Sequence, residues 1–129
     1  MKFISLAAVA AALTLTACVE PTAPEAPEIR TPVSLSQAQK RQIEQGVRDV
    51  LKDPASAQFG AMAASRNEED VITACGYVNA RNSFGGYSGM KPFMGVITSG
   101  GGFTVAGIGS SDLDSRATIN VCRKFGVAI

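Results

Sequence analysis

Proline sets the first limit on what this chain can fold into. Residues Val19 to Ser34, VEPTAPEAPEIRTPVS, hold four of the six prolines and three glutamates, with little to bury. Proline fixes its own φ, removes a backbone donor and pushes the residue before it away from helix. Such a stretch runs extended at about 3.1 Å per residue and spaces its two ends by roughly 50 Å. The spacings Pro21 to Pro24 and Pro24 to Pro27 formally suit a proline-recognition ligand, but composition alone explains a spacer. The expected organisation is a leader at 1–17, a tether at 18–34, and one small domain at 35–129. A domain of that size gains from a covalent staple.

The leader has its own logic. Met1-Lys2 is a short positive start, and Phe3 to Leu15 is a run of apolar and small residues. That run has the length of an export signal's apolar region and is too short to span a bilayer. It ends in Leu15-Thr16-Ala17-Cys18, which resembles the lipobox of bacterial lipoproteins. The resemblance implies cleavage between Ala17 and Cys18 and acylation of Cys18, a membrane anchor of two or three chains. Ordinary secretory cleavage is the competing reading, and it wants a small residue where Leu15 stands. Val19 follows the cysteine where lipoproteins kept in the inner membrane tend to carry Asp. The resemblance therefore implies an outer-membrane location facing the periplasm.

Helix signals begin at Ser34, with Gln37 three residues on as the partner of a capping box. Within 35–52, Ile43, Val47, Val50 and Leu51 fall on one helical face, and Asp53-Pro54 stops the helix. From Phe59 the texture becomes β-branched and aromatic between turn clusters, which predicts strands at 59–65, 71–81, 92–98 and 102–108. Their short connections favour an antiparallel meander. Ser111 to Asp114 reads as a second helix start, with Leu113, Ala117, Val121 and Phe125 as its apolar stripe and Gly126 as its stop. A fifth strand at 117–122 is the alternative, because Ile119 and Val121 alternate. The expected fold is α+β: an N-terminal helix, about four antiparallel strands, a C-terminal helix and one disulfide.

The disulfide follows from counting. With Cys18 spent on lipid, Cys75 and Cys122 remain, and in an exported chain such a pair reads as a bridge. It would tie the second of the four expected strands to the last helix. A redox-active pair would want the Cys-x-x-Cys spacing that is missing here.

Composition removes several functions. The chain has 12 basic and 11 acidic side chains, and losing Lys2 with the leader leaves the remainder balanced. A nucleic-acid binder would concentrate Lys and Arg. There is no histidine, so the commonest near-neutral base and metal ligand is missing and no Ser–His pair can form. Glu68-Glu69-Asp70 reads as a solvated turn, and Asp112 and Asp114 read as helix-start acids without the loop pattern of a calcium site. No cofactor or metal is expected.

The richest segment is Asn79 to Phe93, where Gly85, Gly86 and Gly89 space Phe84 and Tyr87 between Arg81 and Lys91. It lacks phosphate-loop spacing and leads into a strand, not a helix. Residues Cys75 to Phe93, CGYVNARNSFGGYSGMKPF, with Lys52 to Phe59, KDPASAQF, resemble a group of small exported proteobacterial proteins over about 48–95. That resemblance implies export and supplies no mechanism. The residues themselves suggest an interaction loop of Arg81, Asn82, Phe84, Gly85, Gly86, Tyr87, Lys91 and Phe93, with aromatic anchors on an approachable backbone. The plainer reading is a long hairpin connection whose rings fold back on the core. The expected function is a non-enzymatic envelope module, anchored in the membrane, that binds a protein or cell-wall partner. The alternative is a small hydrolase-like envelope enzyme working through carboxylates.

Overall fold

A computed structural model of the chain describes residues 28–129. The expected leader, Cys18 as the expected lipidation site and the first part of the expected tether lie outside the described residues. The elements are strand β1 (Arg30–Val33), helix α1 (Gln37–Arg48), a single 3₁₀ turn (Pro54–Ser56), strands β2 (Gln58–Asn67), β3 (Ile72–Asn79), β4 (Lys91–Ile97) and β5 (Phe103–Ile108), and helix α2 (Asp112–Lys124). The strands form one antiparallel sheet in the order β1-β2-β3-β4-β5. The α+β architecture holds, with one strand more than the sequence suggested.

That extra strand lies inside the expected tether. β1 pairs Arg30 with Asn67 and Val33 with Ala64, so the chain joins the domain at Arg30, ahead of Leu35. Pro32 is tolerated because an edge strand has one side that needs no ladder hydrogen bond. The Arg30 guanidinium donates to Thr73 Oγ1 at 3.0 Å and lies 4.3 Å from the centroid of the Phe125 ring. An inward-turned charge of this kind also guards a sheet edge against further pairing.

Strand alternation sends successive side chains to opposite faces. On β3, Ile72, Ala74 and Val78 join Ile43, Val47, Phe93 and Phe103 in a core beneath α1. Cys75, between them, joins Cys122 and Val127 beneath α2. The helices therefore cover opposite faces of the sheet. Phe93 sits at the centre of the α1 core, edge-on to Phe59 at 6.3 Å and to Phe103 at 6.2 Å between centroids. Gly46 lets α1 lie close, since a Cβ there would collide with the Phe103 carbonyl oxygen.

Three local expectations need correction. The capping box is Ser36 with Gln39, not Ser34 with Gln37, because β1 holds the chain extended to Val33 and the turn takes three residues more. Helix α1 ends at Arg48, so Val50 lies beyond the periodic face and is 57% exposed, while half-buried Leu51 still packs on the core. In α2 the buried residues are Thr118 and Cys122, and Leu113, expected on the inner stripe, is 77% exposed. The disulfide sets that rotation: Cys122 must face Cys75, which carries Thr118, one turn earlier, inward too. Thr118 is satisfied there by donating to the Asp114 carbonyl at 2.9 Å. Residues 117–122 are helical, not a strand.

The sheet has two unlike ends. Chain entry at Glu28 to Arg30 lies beside the β2–β3 turn, where Asn67 donates to Glu28. The β3–β4 connection leaves from the other end of β3, roughly 25 Å away by the rise of a strand. The segment of interest is thus at the pole opposite chain entry.

Candidate functional site

The β3–β4 connection, residues 80–90, is a shaped loop. Asn82 organises its tip. The Asn82 N–H donates to the Gly86 carbonyl at 2.8 Å, and the Gly85 N–H donates to the Asn82 carbonyl at 3.0 Å. Asn82 Oδ1 accepts from the N–H groups of Phe84 at 2.9 Å and Gly86 at 3.2 Å, an Asx-type arrangement that substitutes a side chain for backbone. Gly85 completes the turn at φ 81°, a conformation that L side chains rarely adopt. The result is a tight tip that holds Phe84 97% exposed.

Below the tip, Arg81 and Tyr87 face each other in an antiparallel bridge, and the Arg81 guanidinium lies 5.5 Å from the Tyr87 ring centroid. The turn imposed by Asp53-Pro54 braces this base. Ser56 Oγ accepts from the Arg81 N–H at 2.8 Å, and the Tyr87 hydroxyl donates to the Ser56 carbonyl at 3.3 Å. Farther on, the Gly89 N–H donates to Asn79 Oδ1 at 3.1 Å, with Gly89 at φ 87°. Neither aromatic ring, Phe84 or Tyr87, enters the core: Tyr87 stays 45% exposed, and Met90 farther along is 51% exposed.

The loop residues named from the sequence divide accordingly. Arg81, Asn82, Phe84, Gly85, Gly86 and Tyr87 belong to one exposed tip and its base. Lys91 opens β4, half-buried opposite Val78. Phe93 is withdrawn from the set. It is fully buried, because it lies two residues along β4 from Lys91 and its side of the strand faces α1.

Beside the loop base runs an open groove of about 390 Å³. Val50, Leu51, Ala80 and Ile108 give it apolar surface over the buried Val78, and Lys52, Arg81 and Lys91 stand around it. No carboxylate lines it. Sequence reasoning passed over Val50, Lys52 and Ile108 as part of any site. Their only mark was position: Val50 to Lys52 immediately precede the Asp53-Pro54 break, which carries the chain across the end of the sheet, and Ile108 ends β5 there.

Asp114 stands just behind the lining, its carboxylate accepting from the hydroxyl of Ser110, a groove residue. Asp114 is held below the ordinary range by a hydrogen bond from the Ser110 hydroxyl and then by Ser111, at the start of α2. Glu28 is lowered by Asn67 first and Arg30 second, at the chain-entry pole. Glu69 accepts from Asn67, and Asp70 pairs with Arg66 at 3.1 Å in the β2–β3 turn. Among the described residues, no three His, Cys, Asp or Glu side chains gather as a metal site would require. The chain matches no family model, no curated protein and no solved structure.

Proposed function

We propose that the chain is an exported lipoprotein, anchored through Cys18, whose domain is a non-enzymatic interaction module reading an envelope protein or cell-wall partner with the 81–91 loop. The reading is carried by Phe84, a large apolar ring 97% exposed on a tip that Asn82 and Gly85 hold in shape. An aromatic with no core role on a preorganised loop is the kind of group that anchors interfaces. Polarity supports the same reading. The chain enters the domain at the β2–β3 pole, so an N-terminal anchor leaves the loop facing away from the membrane. Among the described residues, the two carboxylates displaced from their ordinary range are both lowered, Glu28 by Asn67 and then Arg30 and Asp114 by Ser110 and then Ser111, whereas a hydrolytic acid needs its pKa raised.

Two measurements test it. Fatty-acid labelling of the full chain is expected to vanish on Cys18→Ala, with release from the membrane fraction. A photo-crosslinking residue at position 84 is expected to capture a discrete partner in the native envelope, and the same residue at exposed Arg116 of α2 is not. Equal capture from both positions would remove the loop's claim.

A further inference from the structure

We infer that the groove beside the loop takes a short acidic peptide, its carboxylates held by Lys52, Arg81 and Lys91 and its apolar side chains seated on Val50, Ala80 and Ile108. The inference rests on reading this pole as an interaction surface, and it names the chemistry that surface selects.

Charge is the first argument. The ion pairs among the described residues are Arg30–Glu28, Arg48–Glu44 and Arg66–Asp70, and none involves a cation of the groove. The Arg81 guanidinium leans on the Tyr87 ring and leaves its donors toward solvent. Neither Lys52 nor Lys91 donates a side-chain hydrogen bond to another described residue. In a chain of nearly balanced charge, three cations with no ion-pair partner among the described residues, gathered around one concavity, are a local excess. A cleft walled by one sign of charge beside low-dielectric surface focuses its field on what enters. Arginine offers a fork that matches a carboxylate, and the lysines add point charges.

The apolar surface and size of the groove separate a peptide from other anions. Apolar groove surface is wasted on an inorganic anion or on a nucleic-acid backbone, and three clustered cations do not make the long track a polyanion follows. A volume of about 390 Å³ suits a few residues of extended chain and not a folded domain. Anionic lipid headgroups are disfavoured by position, since the groove lies at the pole opposite chain entry. Acid beside apolar side chains, in a short extended segment, uses both parts of the groove.

The test is fluorescence anisotropy of the full chain with two labelled hexapeptides, one alternating Glu with Leu and the other Gln with Leu. The Glu peptide is expected to bind about tenfold tighter or better, as charge-assisted contacts allow. Its affinity is expected to fall as salt shortens the Debye length. Lys52→Gln/Lys91→Gln is expected to remove the preference with the melting curve unchanged. Exposed Lys52→Gln alone, expected to weaken it severalfold, decides the matter if the double variant folds poorly. Equal binding of the two peptides, or indifference to both lysine changes, overturns the inference. Binding of phosphatidylglycerol vesicles through these lysines without the Glu peptide also overturns it, in favour of a membrane surface. If capture from position 84 persists while the Glu peptide fails to bind, the loop keeps its role and the acidic-peptide assignment falls.

Discussion

Gly76 lies beneath the ring of Phe93, its cross-strand partner: a Cβ on Gly76 would stand 2.8 Å from Phe93 Cζ. The glycine is therefore a packing requirement, and it explains why a phenylalanine next to an exposed loop belongs to the core. Gly76→Ala is expected to destabilise by about 1–3 kcal/mol through overpacking. Phe93→Ala is expected to remove about 3–5 kcal/mol by leaving a cavity. Denaturant unfolding of both variants checks the pair.

The Cys75–Cys122 bridge joins β3 to α2 between two fully buried residues, with Cα atoms 6.3 Å apart. Closing a loop across a sequence separation of 47 corresponds to about 4 kcal/mol in the chain-entropy model. Cys75→Ala/Cys122→Ala is expected to show most of that loss in denaturant melts. Non-reducing peptide mapping of the purified protein is expected to recover the two cysteine peptides joined, and free thiols at both positions would contradict the bridge.

The buried face of α1 can be separated from its exposed continuation. Ile43 is fully buried and Val50 is mostly in solvent. Ile43→Ala is expected to cost about 2–5 kcal/mol. Val50→Ala is expected to change stability by no more than about 0.5 kcal/mol. Equal losses from the two would mean that the helix continues past Arg48 and packs along its whole stripe.

The start of α2 carries a pH dependence of known sign. The pKa of Asp114 is depressed by the Ser110 hydroxyl first and Ser111 second, so its ionised form is the stabilising one. That contribution is complete above the ordinary carboxylate range and is lost as pH falls through the lowered value. Glu28 acts in the same direction through Asn67 and then Arg30. Melting temperatures taken from neutral pH down into the acid range are expected to fall for the native chain. With Asp114→Asn the fall is expected to be shallower.

The helices, the meander and the cysteine pair were legible because each has a local signature: period, turn clusters and a leftover even count. β1 was not, because its sequence, RTPV, is short and contains a proline; only pairing with β2 makes it a strand. The face of α2 was misread for a similar reason. Its apolar spacing favoured Leu113, but a covalent contact 47 residues away in sequence sets the rotation. In the loop, the glycine and aromatic pattern marked a segment that the structure shows as an exposed, hydrogen-bonded tip. Which ring stands out and which is braced depends on Ser56, a residue from another turn, and the groove depends on three separated segments meeting at one pole.

Whether Phe84 and Tyr87 serve a partner or the core is read by one paired measurement on Phe84→Ala/Tyr87→Ala. Thermal melts are expected to stay within about 0.5 kcal/mol of the parent chain for the exposed Phe84, with at most about a further 1 kcal/mol lost with the Tyr87 hydrogen bond. Partner capture by crosslinking and pull-down from the native envelope is expected to weaken by about 2 kcal/mol or more, a loss of more than tenfold. A loss of several kcal/mol in stability, or an unchanged set of captured partners on a stable fold, would contradict the partner role.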